Sequence, residues 1–476
     1  MKDTLTNHFK LRINLGMKIT KDQYNEEFTD YRNAWNTLFA SFIVNIGFGL
    51  AIPLFTSLGD INKNMGHLGF IRMDIGLTVG ILLSSFMIAR MITSYLIPDV
   101  TDSAGRKKIL IGGLIVYGAA TFLIGFQQDF WPLLLLRALE GGSVGVSFPI
   151  SEALMVDSVP QRKRGEWMGK FFITFNAGFA IGPAIGSFLY GFSINTLGMT
   201  KYSAFILPYA LTGCMGFLSA FIVHRYVHDI FKPITKNVED VERQKEYEMA
   251  KEYKVPFLRR LYSINIINGF AIGLIAPIFT FYALDEFHIA VDNVGYIFLI
   301  AGLGGLPINW ISGKLADKYN RVAIAALGMA IGTIAFIGIG IYTTVLIVVV
   351  FFVFRFMAMM FFVPAFRAFQ ADVIPPIVRG RYFGRIQAIF NLGAASAPII
   401  GGFMYDGLKG QTSTFFGWTM YSSGLIFLFC AFVSGLSTVL IYLIYRLYNP
   451  EVHSYKNTPL GSYSQSDYKD VAFTLD

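Results

Sequence analysis

The sequence predicts an all-α polytopic membrane protein whose twelve transmembrane helices form two pseudo-symmetric six-helix bundles. Three observations carry this expectation: long apolar runs recur along the chain, basic residues gather in alternate connections, and the second half repeats residues of the first. A chain of 476 residues that is 54% hydrophobic and 15% charged has more apolar surface than soluble domains can bury. A helix needs roughly 20 apolar residues to cross about 30 Å of hydrocarbon. Runs of that kind read as spans at 35–58, 73–97, 107–127, 131–156, 166–191, 203–226, 259–284, 293–313, 321–342, 345–367, 382–405 and 417–446. Continuous runs such as 109–126 and 343–354 argue against a barrel, whose strands would alternate in polarity.

Residues 1–34 are polar and mixed in charge, unlike a cleaved leader, so the first span is expected to be retained and the N-terminus to start inside. Roughly 31 of the 39 Lys and Arg lie in or beside the tails and even-numbered connections, against about 4 in the odd-numbered ones. That asymmetry predicts two cytoplasmic tails. Attraction to anionic lipid head groups accounts for the net charge of +8, so no nucleic-acid partner is implied. Cys214 and Cys430 fall inside spans, where a thiol is a small apolar group. The longest polar interruption divides the spans six and six. The expected organisation is a cytoplasmic tail at 1–34, a bundle at 35–226, a cytoplasmic loop at 227–258, a second bundle at 259–446 and a cytoplasmic tail at 447–476.

Across that interruption the sequence repeats at a fixed step. Asp102 and Arg106 match Asp317 and Arg321, while Asp157, Arg164, Gly165, Asn176, Gly178, Pro183 and Gly186 match Asp372, Arg379, Gly380, Asn391, Gly393, Pro398 and Gly401. Each pair is 215 residues apart, as 102 and 317 are. Gly49, Leu50 and Pro53 match Gly273, Leu274 and Pro277 at a step of 224. An even number of spans per half keeps both halves in one orientation, and the natural place for a substrate is the seam between them.

The segment Pro98-Asp99-Val100-Thr101-Asp102-Ser103-Ala104-Gly105-Arg106-Lys107-Lys108 joins spans two and three; Gly313-Lys314-Leu315-Ala316-Asp317-Lys318-Tyr319-Asn320-Arg321 joins spans eight and nine. The two resemble the signature loop of the major facilitator superfamily, which that family repeats at these places. The resemblance covers nearly all of 35–446 and implies alternating access between two bundles. It also implies a cytoplasmic latch made by Asp102, Gly105, Arg106, Lys107, Gly313, Asp317 and Arg321. Physically, a short turn lets Asp and Arg tie helix ends together. Pro98 and Asn320 stand where the family has Gly, and Asn tolerates the left-handed backbone that such a turn asks for.

Span five carries Gly178, Gly182, Pro183 and Gly186, and span eleven repeats Pro398 and Gly401. The pattern is similar to the signature of the drug/proton antiporter branch of the same family, with Ser187 at a final Gly position. Glycines four apart allow close helix approach and the proline bends the helix, so packing alone is the competing reading. Span four carries Arg137 and Glu140, similar to the family's Arg-x-x-Gln-Gly motif with Glu in place of Gln. The resemblance ties the Arg to proton coupling, with Glu140 as the protonatable partner. The alternative is a static ion pair that makes Arg137 tolerable in the membrane.

Arg90 and Arg355 are embedded without a sequence neighbour to neutralise them, and either flank the cavity or bond to backbone. Asn45, Asn176, Asn268 and Asn391 complete the candidate cavity, with contact to another helix as the competing role. Acidic residues in mid-span are scarce, which tilts the substrate toward neutral, amphipathic or anionic molecules. The chain shows neither a nucleotide-binding glycine-lysine loop nor metal-ligand spacing, so no cofactor, metal or enzymatic chemistry is expected. The expected partners are a small-molecule substrate, protons and the lipid bilayer, with the chain working as a monomer in the plasma membrane. Proton-driven export of amphipathic compounds is the leading expectation. A carrier for an organic anion, sugar or lipid-like metabolite, and a nontransporting sensor, are the alternatives.

Overall fold

Apolar runs of this length cross hydrocarbon as helices, because a helix satisfies its own backbone donors and acceptors. The computed structural model describes residues 30–61, 67–68, 71–72, 74–159, 164–228, 255–374, 376–415 and 417–448. Most of both tails and of the central loop, and the side chains of Asp102 and Asp317, lie outside the described residues. In chain order the helices are α1 (Tyr31–Ile61), α2 (Ile75–Ala104), α3 (Arg106–Ile124), α4 (Phe130–Asp157), α5 (Arg164–Asn195), α6 (Ile206–Tyr226), α7 (Leu258–Asp285), α8 (Val291–Lys318), α9 (Arg321–Ile341), α10 (Val345–Val373), α11 (Pro376–Leu408) and α12 (Leu425–Leu447). Among the described residues, 11 helices are long and apolar enough to cross a membrane, and α1, at 31 residues, is the remaining long helix. The molecule is an integral multi-pass membrane protein.

Several boundaries differ from the sequence expectation. Helices α2 and α8 run on to Ala104 and Lys318, so each signature loop is mostly helical and the chain reverses over one or two residues. Span ten continues to Val373. Span twelve begins at Leu425, because Thr412–Phe415 and Trp418–Tyr421 pair as an antiparallel hairpin. Its aromatic residues raise the local hydropathy, but Gly417 at φ 82 sets a left-handed turn that no α-helix contains.

The two halves pack alike. In the first, α1 lies on α5 and α6, α2 on α4, and α3 on α4 and α6; in the second, α7 lies on α11 and α12, α8 on α10, and α9 on α10 and α12. The halves meet where α2 crosses α11 and α5 crosses α8, contacts that the repeat exchanges. One apolar core straddles this seam, drawing Leu50 and Leu54 from α1, Val79 from α2, Leu274 and Ile278 from α7 and Phe298 from α8. All of these lie in the half of the molecule away from the α2–α3 and α8–α9 turns. Toward those turns, the latch side, each bundle keeps separate apolar clusters, around Leu261 and Phe366 in the second and Leu110 and Leu154 in the first. The seam is therefore joined at the far side and divided at the latch side.

A polar clasp closes the far side. Asp406, near the end of α11, accepts hydrogen bonds from the backbone N–H groups of Gly76 at 2.9 Å and Leu77 at 2.8 Å, at the start of α2. These are donors that the first turn of a helix leaves without intrahelical partners, and the positive end of the α2 dipole favours the carboxylate.

Candidate functional site

The latch is built twice, by different turns. Gly105, at φ 85, separates α2 from α3. Asn320 occupies the equivalent turn at φ −62, so the left-handed backbone expected there is not adopted. Its side-chain oxygen instead caps α9, accepting from the N–H of Val322 at 2.9 Å and Ala323 at 3.2 Å. Arg106 pairs with Asp157 at the end of α4, and Arg321 pairs with Asp372 at the end of α10 at 2.6 Å. The repeat thus places one ion pair at the same position in each bundle. Lys107 donates to the His224 carbonyl at 2.8 Å, tying α3 to α6. Gly313 has open space around its α-carbon. Tyr448, just past α12, sits beside the second pair; burial first, and Asp372 next, push its hydroxyl up to about 12, with Arg321 opposing.

Arg137 and Glu140 form a fully enclosed pair one helical turn apart on α4, with Nη1 2.6 Å from Oε2 and side-chain exposures of 6% and 0%. The Arg137 guanidinium lies 4.7 Å from the centre of the Phe86 ring on α2. Tyr117 of α3 and Tyr209 of α6 are near enough to interact electrostatically with both charges. The pair consequently faces the interior of its own bundle. Glu140 Oε1 and the Tyr117 and Tyr209 hydroxyls are buried and have no hydrogen-bond partner among the described residues.

The small residues of α5 hold it against two helices at once. A side chain at Gly178 would meet the α1 backbone at Asn45 and Ile46, and one at Gly182 would strike Ile46 and Leu50. Gly186 approaches the Leu50 carbonyl in the same way. The opposite face of α5, at Ala180, Pro183 and Ser187, receives Gly295 and Gly302 of α8. Helix α11 repeats the design, with Gly393 and Gly401 toward α7 and Pro398 and Gly402 against Gly80 and Gly76 of α2. Both signature helices therefore sit between an intrabundle partner and the seam. A Gly182→Val variant should lose about 1–3 kcal/mol of stability from overpacking against backbone that cannot yield. Thermal unfolding in detergent measures this, and a melting temperature equal to wild type would mean that α1 and α5 separate freely.

The remaining candidates do not form one cluster. Arg90 is half-buried on α2 with its guanidinium 5.8 Å from the Phe148 ring centre on α4. Arg355 is buried against Phe336 of α9 at 4.5 Å, on the side of α10 away from the seam helices. Asn45, Asn268 and Asn391 are buried and Asn176 is half-buried. Among the described residues, only Asn391 of these belongs to a polar chain: Gln387 donates to its oxygen at 3.1 Å, and Arg367 donates to Gln387 at 3.0 Å. Arg367 also interacts electrostatically with Glu152 of α4, across the seam. Sequence reasoning missed this arginine because it set the end of span ten at that residue. A usable signal was present, since the step of 215 that joins Asp157 to Asp372 also joins Glu152 to Arg367.

The chain is similar in sequence and in fold to known proteins. The chain is 24% identical over 379 residues to the multidrug resistance protein MdtG of Proteus mirabilis, covering 78% of this chain and 89% of that protein. It is 22% identical over 304 residues to the quinolone resistance protein NorA of Staphylococcus aureus, covering 63% of this chain and 71% of that one. Its fold superposes on a D-xylose–proton symporter with a TM-score of 0.70 at 14% identity, over 87% of this chain and 97% of the symporter. The family model described as Major Facilitator Superfamily matches residues 34–260 and 261–465. Two matches, one to each repeat, leave a single assignment: the chain belongs to the Major Facilitator Superfamily.

Proposed function

We propose that this chain is a secondary active transporter that exports amphipathic small molecules in exchange for protons, working as a monomer in the plasma membrane. Both tails and the latch side face the cytoplasm in this reading, as the distribution of basic residues favours. The bundles bounded at 35–226 and 259–446 rock about the seam, and no enzymatic step is involved. The single observation that carries the coupling is the enclosed Arg137–Glu140 pair, with a second carboxylate oxygen left unmatched. Protonating Glu140 removes the negative charge, frees Arg137 and biases one of two arrangements of the bundle. The similarity to the multidrug resistance protein MdtG and the quinolone resistance protein NorA supports the drug-export side of the proposal. In proteoliposomes with an imposed pH gradient, Glu140→Gln should abolish driven movement while ligand binding stays measurable. An unchanged driven rate would remove Glu140 from the coupling.

A second reading, a carrier for an organic anion, sugar or lipid-like metabolite, is favoured by Arg367, which donates hydrogen bonds to the amide oxygens of Gln370 and Gln387. A guanidinium so held offers further donors to a carboxylate or phosphate. Neutralising Arg367 would then weaken an anionic substrate selectively, a result that neutralising Arg90 or Arg355 reproduces only if those side chains reach the same ligand.

A further inference from the structure

Glu140 is sealed from the seam, so the coupling reading needs a route by which its proton is released to the cytoplasm. Phe86 of α2 covers the Arg137 side of the pair, and Gly141 lies directly on the α2 backbone at Phe86. Access has to come from inside the bundle. There, a pocket is enclosed by α1, α3, α4, α5 and α6, and its polar lining consists of Ser41, Asn45, Tyr117, Ser147 and Ser151. The volume of about 30 Å³ exceeds what one water molecule requires, and the lining supplies several acceptors and donors. Ser151 lies six residues before the latch-side end of α4, about 9 Å along the helix, and Tyr117 lies eleven residues into α3, about 16 Å from the same side. The pocket therefore runs inward from the latch side, and Glu140 stands one turn beyond its innermost α4 residue, Val144.

The polar atoms point to water. Ser41 and Ser147 donate to carbonyls of their own helices at 2.9 and 2.8 Å, leaving their oxygens able to accept. The Tyr117 hydroxyl, in a side chain 1% exposed, has no partner among the described residues, and neither has Glu140 Oε1. Two such groups within electrostatic reach of each other in a low-dielectric interior are costly unless water satisfies them. The ionisable groups around Glu140 are few: Arg137 on its own helix, Tyr117 on α3 and Tyr209 on α6. On α2 the nearest is Arg90, against Phe148. Residues 33–59 of α1 and 171–189 of α5 contain no ionisable side chain.

We propose that this pocket is a hydrated proton outlet from Glu140 to the latch side, away from the seam, with Tyr117 as its first relay; it rests on Glu140 being the coupling carboxyl. Tyr117 accepts the Glu140 proton on Oη as it releases its own to a pocket water, so the phenol ends neutral and the acid becomes the carboxylate. The pocket waters pass that proton to the cytoplasm, and Arg137 regains its counter-charge.

The test follows the Glu140 carboxyl itself by infrared spectroscopy after a pH jump, with its C=O band assigned by loss in Glu140→Gln. Tyr117→Phe, which keeps the ring and removes the relay oxygen, should slow the band's relaxation about tenfold or more without changing its end point. Ser151→Leu, which plugs the mouth, should slow it similarly. Equal rates in both variants and wild type would overturn the outlet, even where pH-driven transport survives. Slowed relaxation without any pH-driven transport in wild type would instead keep the proton route and discard the antiport reading. Independently, Ser151→Cys in a Cys214→Ser/Cys430→Ser background should react with 2-aminoethyl methanethiosulfonate from the latch side. A thiol there that stays unlabelled while the protein remains folded means a dry pocket and rejects the proposal.

Discussion

Replacing Arg137 with methionine should destabilise the folded protein by about 3–5 kcal/mol, and adding Glu140→Gln to that variant should restore most of the loss. The pair is enclosed, with Glu140 wholly buried, so removing the guanidinium strands a carboxylate that bulk solvent does not reach and that no other cation among the described residues neutralises, with only the few waters of a small pocket to solvate it. Removing both charges leaves a polar but neutral site beside Phe86, and the desolvation cost falls with them. The double-mutant cycle, read by thermal unfolding in detergent, isolates the pair from its surroundings. Wild-type melting of the Arg137→Met single variant would mean that bulk solvent, beyond the few pocket waters, reaches Glu140 freely, and the enclosed arrangement would have to be abandoned. A double variant as unstable as the single would assign the loss to packing of the Arg137 stem on Phe86 instead.

The part of this site that could be read in advance is the part in which residue identity dictates backbone. Gly105, Gly182 and Gly186 announce turns and contacts that a side chain would block, and the recurrence of Gly178, Pro183 and Gly186 as Gly393, Pro398 and Gly401 gave away the two bundles. Arg137 and Glu140 were legible because two charges three residues apart inside an apolar run must share a helix face. Which way that face points was not legible. Helical periodicity cannot distinguish the seam from the bundle interior when both are apolar, and Tyr117 and Tyr209 lie on helices far away in sequence.

Complementarity across the seam was harder still. The repeat was recognised by identical residues, whereas Glu152 and Arg367 are repeat mates of opposite charge, so a search for sameness passes over them. The hairpin after α11 was hidden by its aromatic residues, which score as apolar in a hydropathy window. The Asp406 clasp was invisible for another reason. Its partners are backbone N–H groups, and no side chain marks them in the sequence.

That clasp yields the other large effect. Asp406→Asn should shift the protein toward an arrangement open at the far side, by about ten- to a hundredfold in the ratio of states, since hydrogen bonds to a charged group contribute about 1.5–3 kcal/mol. Asparagine keeps the size of the side chain, but turns one of its two acceptors into an NH₂ donor that faces the backbone N–H of Gly76 or Leu77. The favourable charge at the α2 N-terminus disappears as well. Lys409, 3.4 Å from Asp406 and partly exposed, cannot substitute, because it is a cation facing the same donors. The close approach of Gly76 and Gly80 to Gly402 and Pro398 remains, so the seam opens as a shift in population without unfolding. Spin labels at Asp74 and Gln411, on opposite sides of the clasp, should show a longer-distance population that is minor in wild type. If the distance distribution of Asp406→Asn matches wild type, apolar packing alone holds the far side shut, and alternation is governed from the divided latch side.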